Sequence, residues 1–414
     1  LRNAFVMIDA TERYDTILAG AQTLASSKSC EVNKAQLGNY LADIAGLVEW
    51  PTLLMGQIEK RFMALPPELL QSTIATHQKY ITLNDAAGNF SPYFILLSNR
   101  LPDASRDKVI LEGNQRVLRA RLEDAEFFWQ QDKALNFEAY LPDLASVTFH
   151  DGLGTLHDKT IRMKALASAV TPYVEFADLK AATRAAHLAK VDLVTGLVGE
   201  FPELQGVIGG YYAAASGEGE TVSVAITSHY RPQGPNDDLP PSPTAMVVAL
   251  VDKIDTLVGF FGIDAKPTGS KDPFALRRAA LGMIRIIVDG QLTLPLATLF
   301  QSAAKGYGYA KVDDDLLPFI RERLRGYLLD QQVRHDIVAA ALADTDGDDI
   351  CLMATRAKAL VAFLETPDGD GLMIGWRRVS SILSAEEKKA KADFLPSCDP
   401  ALFSETENEL YASL

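Results

Sequence analysis

Between residues 150 and 290, apolar side chains recur at helical spacing through three long segments, 159–170, 176–198 and 245–261. A chain that repeats every three to four residues over such lengths buries its apolar side by packing helix on helix. Glycine and proline gather at 199–210 and again at 232–243, so these stretches read as connections. Residues 150–290 are therefore expected to form an all-helical domain.

Upstream, residues 1–149 mix two periods. Residues 35–50 read as a helix that ends at a Trp50-Pro51 break. Residues 79–83 and 93–98 are β-rich and flank the turn Asp85-Ala86-Ala87-Gly88-Asn89, a hairpin signal. A helix is expected from about 113 to 130, with Val117, Leu118, Leu122, Ala125 and Phe128 toward a core and Arg116, Arg119 and Arg121 partly outward. Those arginines read two ways, as phosphate contacts or as a plain surface helix in which Arg119 pairs with Glu123 one turn on. Downstream, helices at 316–329, 336–343, 350–364 and 371–383 alternate with acidic loops and predict a helical bundle over 291–414. The expected fold class is multidomain and mainly α: an N-terminal α+β domain, a central all-helical domain and a C-terminal helical bundle.

Forty basic residues against fifty-four acidic ones leave a net charge of −14, which argues against indiscriminate attraction to phosphate backbones. Any nucleic-acid contact must be local, and basic residues do gather at 106–121, 266–285 and 321–334. The middle patch is the run KPTGSKDPFALRRAALGMIR. Pro267, Gly269 and Ser270 require a turn, and a helix follows Asp272-Pro273 with Phe274, Leu276, Leu281, Ile284 and Ile287 on its apolar face. Lys266, Lys271, Arg277, Arg278 and Arg285 stand against the single acid Asp272, so the loop reads either as an anion seat or as the solvated basic edge of a buried helix.

Other chemistries find little support. At 414 residues, core burial is not limiting for two or three domains, and no run of about 18 apolar residues occurs to span a membrane. Cys30, Cys351 and Cys398 are odd in number and far apart, which offers neither a disulfide framework nor a metal knuckle and fits a reducing cytosol. No Gly-x-x-x-x-Gly-Lys-Ser/Thr run is present, so no ATP site is expected. The acidic run from Asp344 to Asp349 fails as a calcium loop, because its sixth and twelfth places hold Asp349 and Thr355. The doublets His150-Asp151 and His157-Asp158 are interrupted by Gly152 and Gly154, and caps or core histidines are the simpler reading. The chain begins at Leu1 without methionine or leader and reads as a fragment.

The run KPTGSKDPFALRRAALG resembles the β subunit of bacterial heterotetrameric glycyl-tRNA synthetase. EFPELQGVIGGYYA, GLVEWPTLLMG, FMALPPELLQSTIATHQKYITL, PYFILLSN and GNQRVLRARLEDAEFFWQQD are similar to the same family in the same order, and the resemblance covers nearly the whole chain. It implies a tRNA-carrying subunit, two copies of which assemble in the cytoplasm with two α subunits that bind ATP and Mg and activate glycine. It also implies kinship of residues 1–149 with phenylalanyl-tRNA synthetase β, of 150–290 with the HD hydrolase fold, and of 291–414, through FIRERLRGYL and GWRRVSSIL, with a helical anticodon-binding domain that continues past Leu414. Val191 stands before Asp192 where an HD protein has histidine, while His150, His187, Asp252 and Asp255 remain as scattered ligands. Under this resemblance the candidate tRNA-binding residues are Lys266, Lys271, Arg277, Arg278, Arg285, Arg116, Arg119, Arg121, Arg321, Arg325, Arg377 and Arg378, with no catalytic or metal-ligating residue. The alternatives are a metal-dependent HD-type phosphohydrolase and an assembly scaffold whose aromatic face at Phe127, Phe128 and Trp129 meets the α subunit.

Overall fold

A computed structural model of the protein describes residues 2–134, 136–343, 347–390, 404 and 406. Its contacts group residues 1–324 and 348–351 into one compact unit and residues 325–347 and 352–414 into a second. Asp344, Thr345 and Asp346 of the acidic turn, and Cys398, lie outside the described residues.

The first unit opens with α1 (Ala10–Ser26), capped by the Asp9 side chain, then β1 (Cys30–Val32), α2 (Asn39–Ala45) and β2 (Pro51–Gln57). The helix expected over 35–50 is shorter than its pattern, because Leu37 is extended and Gly38 adopts φ 84° before α2 begins. α3 (Pro67–Gln71) runs into a π-helical turn, Ser72–His77, and β3 (Ile81–Asp85) and β4 (Phe90–Asn99) form the expected hairpin. Asp85 closes its turn by accepting from the backbone of Ala87 and Asn89. The four strands pair in the order β1-β3-β4-β2, antiparallel throughout. Ile17, Ala21, Leu41, Ile44, Ile81, Leu83 and Ile95 pack into one core between the sheet and the first two helices. Each such large side chain contributes about 1.5–3 kcal/mol by leaving water.

α4 (Ala104–Lys133) is 30 residues long, starting at the Asp103 cap well before the expected residue 113. Gly113 is tolerated inside it, with open space around its Cα. The buried stripe is Leu118, Leu122, Ala125, Trp129 and Asp132, at steps of three and four. Val117 falls off that stripe and is 51 % exposed, correcting its expected place in the core.

A short β5 (Thr148–His150) and β6 (Gly154–Thr155) lead into α5 (Leu156–Val170), α6 (Leu179–Leu188), α7 (Gly196–Glu200), α8 (Val207–Ala215), α9 (Glu220–Ser228), α10 (Pro243–Gly262), α11 (Leu276–Asp289), α12 (Leu296–Gly306) and α13 (Leu316–Asp330). The periodic stretch 176–198 is thus broken, with α6 and α7 separated by a 3-10 turn at Val191–Val194. α10 is apolar on nearly all sides and takes α5, α6, α9, α11 and α12 around it. In the second unit, α14 (His335–Ala341) is followed by the greater part of α15 (Ile350–Leu364) and by α16 (Pro367–Ala390). Among the described residues the protein is mainly helical, with a small four-stranded N-terminal sheet and the two-stranded pair of β5 and β6.

Candidate nucleic-acid interface and a buried charged core

The loop before α11 is built as the sequence asks. Thr268 and Lys271 exchange two backbone hydrogen bonds, at 3.0 and 2.8 Å, around Gly269. The helix starts at Leu276, after Ala275 in the left-handed region, so Phe274 lies in the loop and stacks on Phe260 at 4.2 Å instead of riding the helix. Leu276, Ile284 and Ile287 are buried as expected, with Leu281 half-buried.

The helix N-terminus is not open. Asp272 accepts from the backbone N–H of Leu276 and of Arg277, each at 2.9 Å, so the seat expected for an outside anion already holds an internal carboxylate. Lys266 is drawn to Asp315 (2.8 Å), Asp313 (2.9 Å) and Asp264 (3.4 Å), and hydrogen bonds to Asp315 and Asp313 raise its pKa. Arg277 donates to the Gly269 carbonyl at 2.5 Å. Arg285 donates to the carbonyls of Gly234 and Asp237, each at 2.8 Å, and ties α11 to the proline-rich connection. Lys271 and Arg278 are exposed and make no ion pair or side-chain hydrogen bond among the described residues.

On α4, Arg119 pairs with Glu59, not with Glu123 as the one-turn spacing predicts, because Arg61 takes Glu123 at 2.5 Å. Arg121 meets Glu200 at 3.4 Å, while Arg116 is exposed and without an ion pair among the described residues. α13 carries Arg321, half-buried, and Arg325, exposed. Arg377 and Arg378 are exposed on α16. The chain thus places Lys266 and Lys271 in one loop, with Arg277, Arg278 and Arg285 on the helix that follows it and the Arg277 side chain tied back to the loop at Gly269.

Sequence reasoning named Asp192, Asp252 and Asp255 as scattered ligands and missed the cations buried with them inside the helical part. Lys159, Arg162, Lys190, Asp192, His229, Asp252, Lys253 and Asp255 are all buried. Asp255 accepts from Arg162 Nε at 2.8 Å, from Lys159 at 3.1 Å and from the Tyr307 hydroxyl at 2.9 Å. Lys159 and Lys190 stand 3.2 and 3.0 Å from Asp252 Oδ1, near enough for charge attraction though off the line of a directed hydrogen bond. Burial opposes ionisation of Asp252, yet Lys190 and Lys159 outweigh it and hold the carboxyl well below its ordinary range. Burial pushes Lys190 and Lys253 down to about 8. Burial beside Lys190 keeps His229 neutral, so its Nδ1–H donates to the Ile226 carbonyl at 2.6 Å and its Nε2 accepts from Lys190 at 2.9 Å.

Two ammonium groups therefore occupy the space in which Asp252 and Asp255 would hold a metal ion, and this residue set does not fit one. His150 Nδ1 instead accepts from the Gly152 N–H at 3.1 Å, and Asp158 closes a capping box with Thr155 at the start of α5.

Asp192 Oδ2 accepts from Gly206 N at 2.5 Å and Gly209 N at 3.2 Å, which demands glycine at 209, where a Cβ would come within 3.0 Å of the carboxyl carbon. Burial pushes this carboxyl up to about 6, against the N–H groups and Lys190. With the folded value above the ordinary one, the stability it contributes is complete below about pH 4 and lost as pH rises through 6. Asp192→Asn removes that titration. Relative to this variant, the wild type should gain about 2–3 kcal/mol between pH 7 and pH 4 in urea unfolding at each pH. A difference that stays constant over this range would show Asp192 to be in contact with water.

Two of the runs quoted above also converge in space. Ser72 donates to Glu203, His77 Nε2 lies 3.1 Å from the same carboxylate and its ring stacks on Phe201 at 5.2 Å. An open pocket of about 440 Å³ lies there, its polar lining including Glu68, Gln71, Ser72, Asn84 and Glu203.

Against this structure, the family model for the glycyl-tRNA synthetase beta subunit matches residues 1–343. The chain is 46 % identical over 406 residues to the glycine–tRNA ligase beta subunit of Phenylobacterium zucineum, covering 97 % of this chain and 58 % of that protein. It is 46 % identical over 394 residues to the same-named protein of Rhodospirillum centenum, covering 94 % and 55 % respectively. For the Cereibacter sphaeroides protein the identity is 43 % over 427 residues, covering all of this chain and 60 % of the relative. The chain belongs to the glycyl-tRNA synthetase beta subunit family. It spans between 55 and 60 % of the length of these curated relatives.

Proposed function

We propose that the chain is the tRNA-holding part of a glycine–tRNA ligase β subunit, presenting tRNA-Gly for ATP-dependent glycylation at the active site of a separate α subunit. ATP and Mg belong to that α subunit, and the assembly is a cytoplasmic α2β2 heterotetramer. Within the chain, residues 1–149 serve as the phenylalanyl-type α+β domain, 150–290 as an HD-like domain and 291–414 as part of an anticodon-binding bundle. The observation that carries this reading is the family match over residues 1–343. Lys271, Arg278 and Arg116, exposed and without an ion pair among the described residues of a chain with net charge −14, support it as local phosphate contacts. The phosphohydrolase alternative is disfavoured by Lys159 and Lys190, which already neutralise the carboxylates it would need.

The test has two arms. Glycine-dependent pyrophosphate exchange should be absent from this chain alone and appear on adding the α subunit, and exchange by the chain alone would refute the division of labour. Since Arg277 is engaged with Gly269, the informative pair is Lys271→Ala with Arg278→Ala. That double variant should fold normally, bind tRNA-Gly about tenfold more weakly and lose about two units of salt slope. Unchanged affinity and slope would remove the loop from the interface.

A further inference from the structure

Among the described non-glycine residues with positive φ, Ser29, Lys79, Asp264, Ala275, Gln291 and Gln332 are small or polar, and Phe5 lies edge-on to Trp50 at 5.4 Å. Phe176 differs. Its φ is 64°, a conformation that crowds Cβ against the backbone, and the residue is 86 % exposed. Two unfavourable features thus coincide, a bulky residue where glycine or asparagine fits better and a phenyl ring left in water.

The turn that carries it is firmly held. Val174 is buried, its N–H donates to Thr171 O at 3.0 Å, and Ala177 N donates to Val174 O at 3.1 Å. Asp178 N donates to Thr244 Oγ1 at 3.0 Å, fixing the far end of the turn to α10. Tyr173 and Leu179, three positions before and after it in the chain, are 43 and 49 % exposed. The result is an apolar side chain presented on a backbone turn that is already hydrogen-bonded before anything docks. The exposed acids Glu175 and Asp178 border it, with Lys180 the nearest following cation in sequence. On a chain of net charge −14 this border repels a phosphate backbone and suits a protein pocket with a neutral or basic rim.

The geometry points to Phe176, with the exposed Tyr173 and Leu179 of the same stretch, as the anchor that this chain inserts into an apolar pocket of its companion protein, the α subunit. The assignment rests on the ligase reading above, and it locates the contact on the turn between α5 and α6.

The test uses the full-length β subunit, wild type, Phe176→Gly, Phe176→Asn and Tyr173→Ser, titrated with purified α subunit by calorimetry, with thermal unfolding and tRNA-Gly binding measured in parallel. Glycine or asparagine at 176 relieves the backbone, so both variants should melt at or above the wild-type temperature. Both should nevertheless bind the α subunit at least tenfold more weakly, the scale of a lost aromatic anchor, and Tyr173→Ser should weaken binding in the same direction. Undiminished α-subunit binding by the 176 and 173 variants would overturn the inference while leaving the ligase reading intact. Loss of tRNA binding with α-subunit binding unchanged would overturn it in favour of base stacking. If the wild type itself fails to bind the α subunit, the ligase reading fails and this inference with it.

Discussion

Asp255→Ala should destabilise the first unit by about 3–5 kcal/mol, a large share of the roughly 5–15 kcal/mol that holds a typical domain folded. The carboxylate is 1 % exposed and is the shared partner of Lys159 and Arg162. Its removal strands the Arg162 guanidinium away from water, leaves Lys159 with Asp252 as its remaining carboxylate, and leaves the Tyr307 hydroxyl with the backbone carbonyl of residue 255 in place of the carboxylate. Replacing Lys159, Arg162 and Asp255 together by apolar residues of similar volume should recover most of the loss, because the penalty lies in the unpaired charges. Urea unfolding of the single and triple variants measures both effects. A loss below about 1 kcal/mol for Asp255→Ala would mean that water reaches the cluster.

That cluster also marks where the sequence stops being legible. The hairpin of β3 and β4 was readable because its turn signal, Asp85 to Asn89, and its β-rich flanks are local. The α5, α13 and α15 segments were readable because one periodic stripe sets each, and α10 because its apolar run is too long for a strand; their bounds shift by only a few residues. The stretch 176–198 misled because Lys190 and Asp192 interrupt the helix to point inward, a tertiary demand that no spacing announces. Lys159 and Asp255 lie 96 positions apart and look, one at a time, like ordinary helix charges. The one available signal was their setting, since VDKIDT puts three charges into a helix otherwise apolar all round. The basic loop was legible as a loop with cations, but its pairings with Asp313, Asp315 and the Gly269 carbonyl were not. Which residues share a surface depends on partners that sequence distance hides.

The second large effect is expected at Asp132, the last buried residue on the α4 stripe. Its carboxylate accepts from the backbone N–H of Gly196 and Leu197, at 3.0 and 2.9 Å, and from the Tyr212 hydroxyl at 2.9 Å. One side chain thus satisfies two donors at the start of α7 and a phenol on α8 while holding α4 in place. Burial, reinforced by Asp132, raises the Tyr212 pKa far above that of free tyrosine, so the phenol remains a donor. Asp132→Ala leaves the Leu197 N–H and the Tyr212 hydroxyl buried, and the Gly196 N–H part-buried, without this acceptor and should cost about 3 kcal/mol or more, whereas Asp132→Asn keeps an acceptor oxygen and should cost less than half as much. Thermal unfolding of the two variants gives the comparison, and equal losses would show that packing volume, not hydrogen bonding, is what Asp132 supplies.

Asp272, at the start of α11, bears on selectivity among anions. A vacant helix N-terminus beside arginines would hold any small phosphate, and orthophosphate and free nucleotides would compete there with every larger ligand. With Asp272 seated on the N–H groups of Leu276 and Arg277, such a competitor finds two donors already taken and a negative charge in its path. A polyanion that touches Lys271, Arg278 and more distant cations at once loses little from that one occupied seat, because its binding is summed over many phosphates. Under the tRNA-holding function proposed above, the carboxylate would therefore make this loop respond to the length of a polyanion, favouring a macromolecule over its own small fragments.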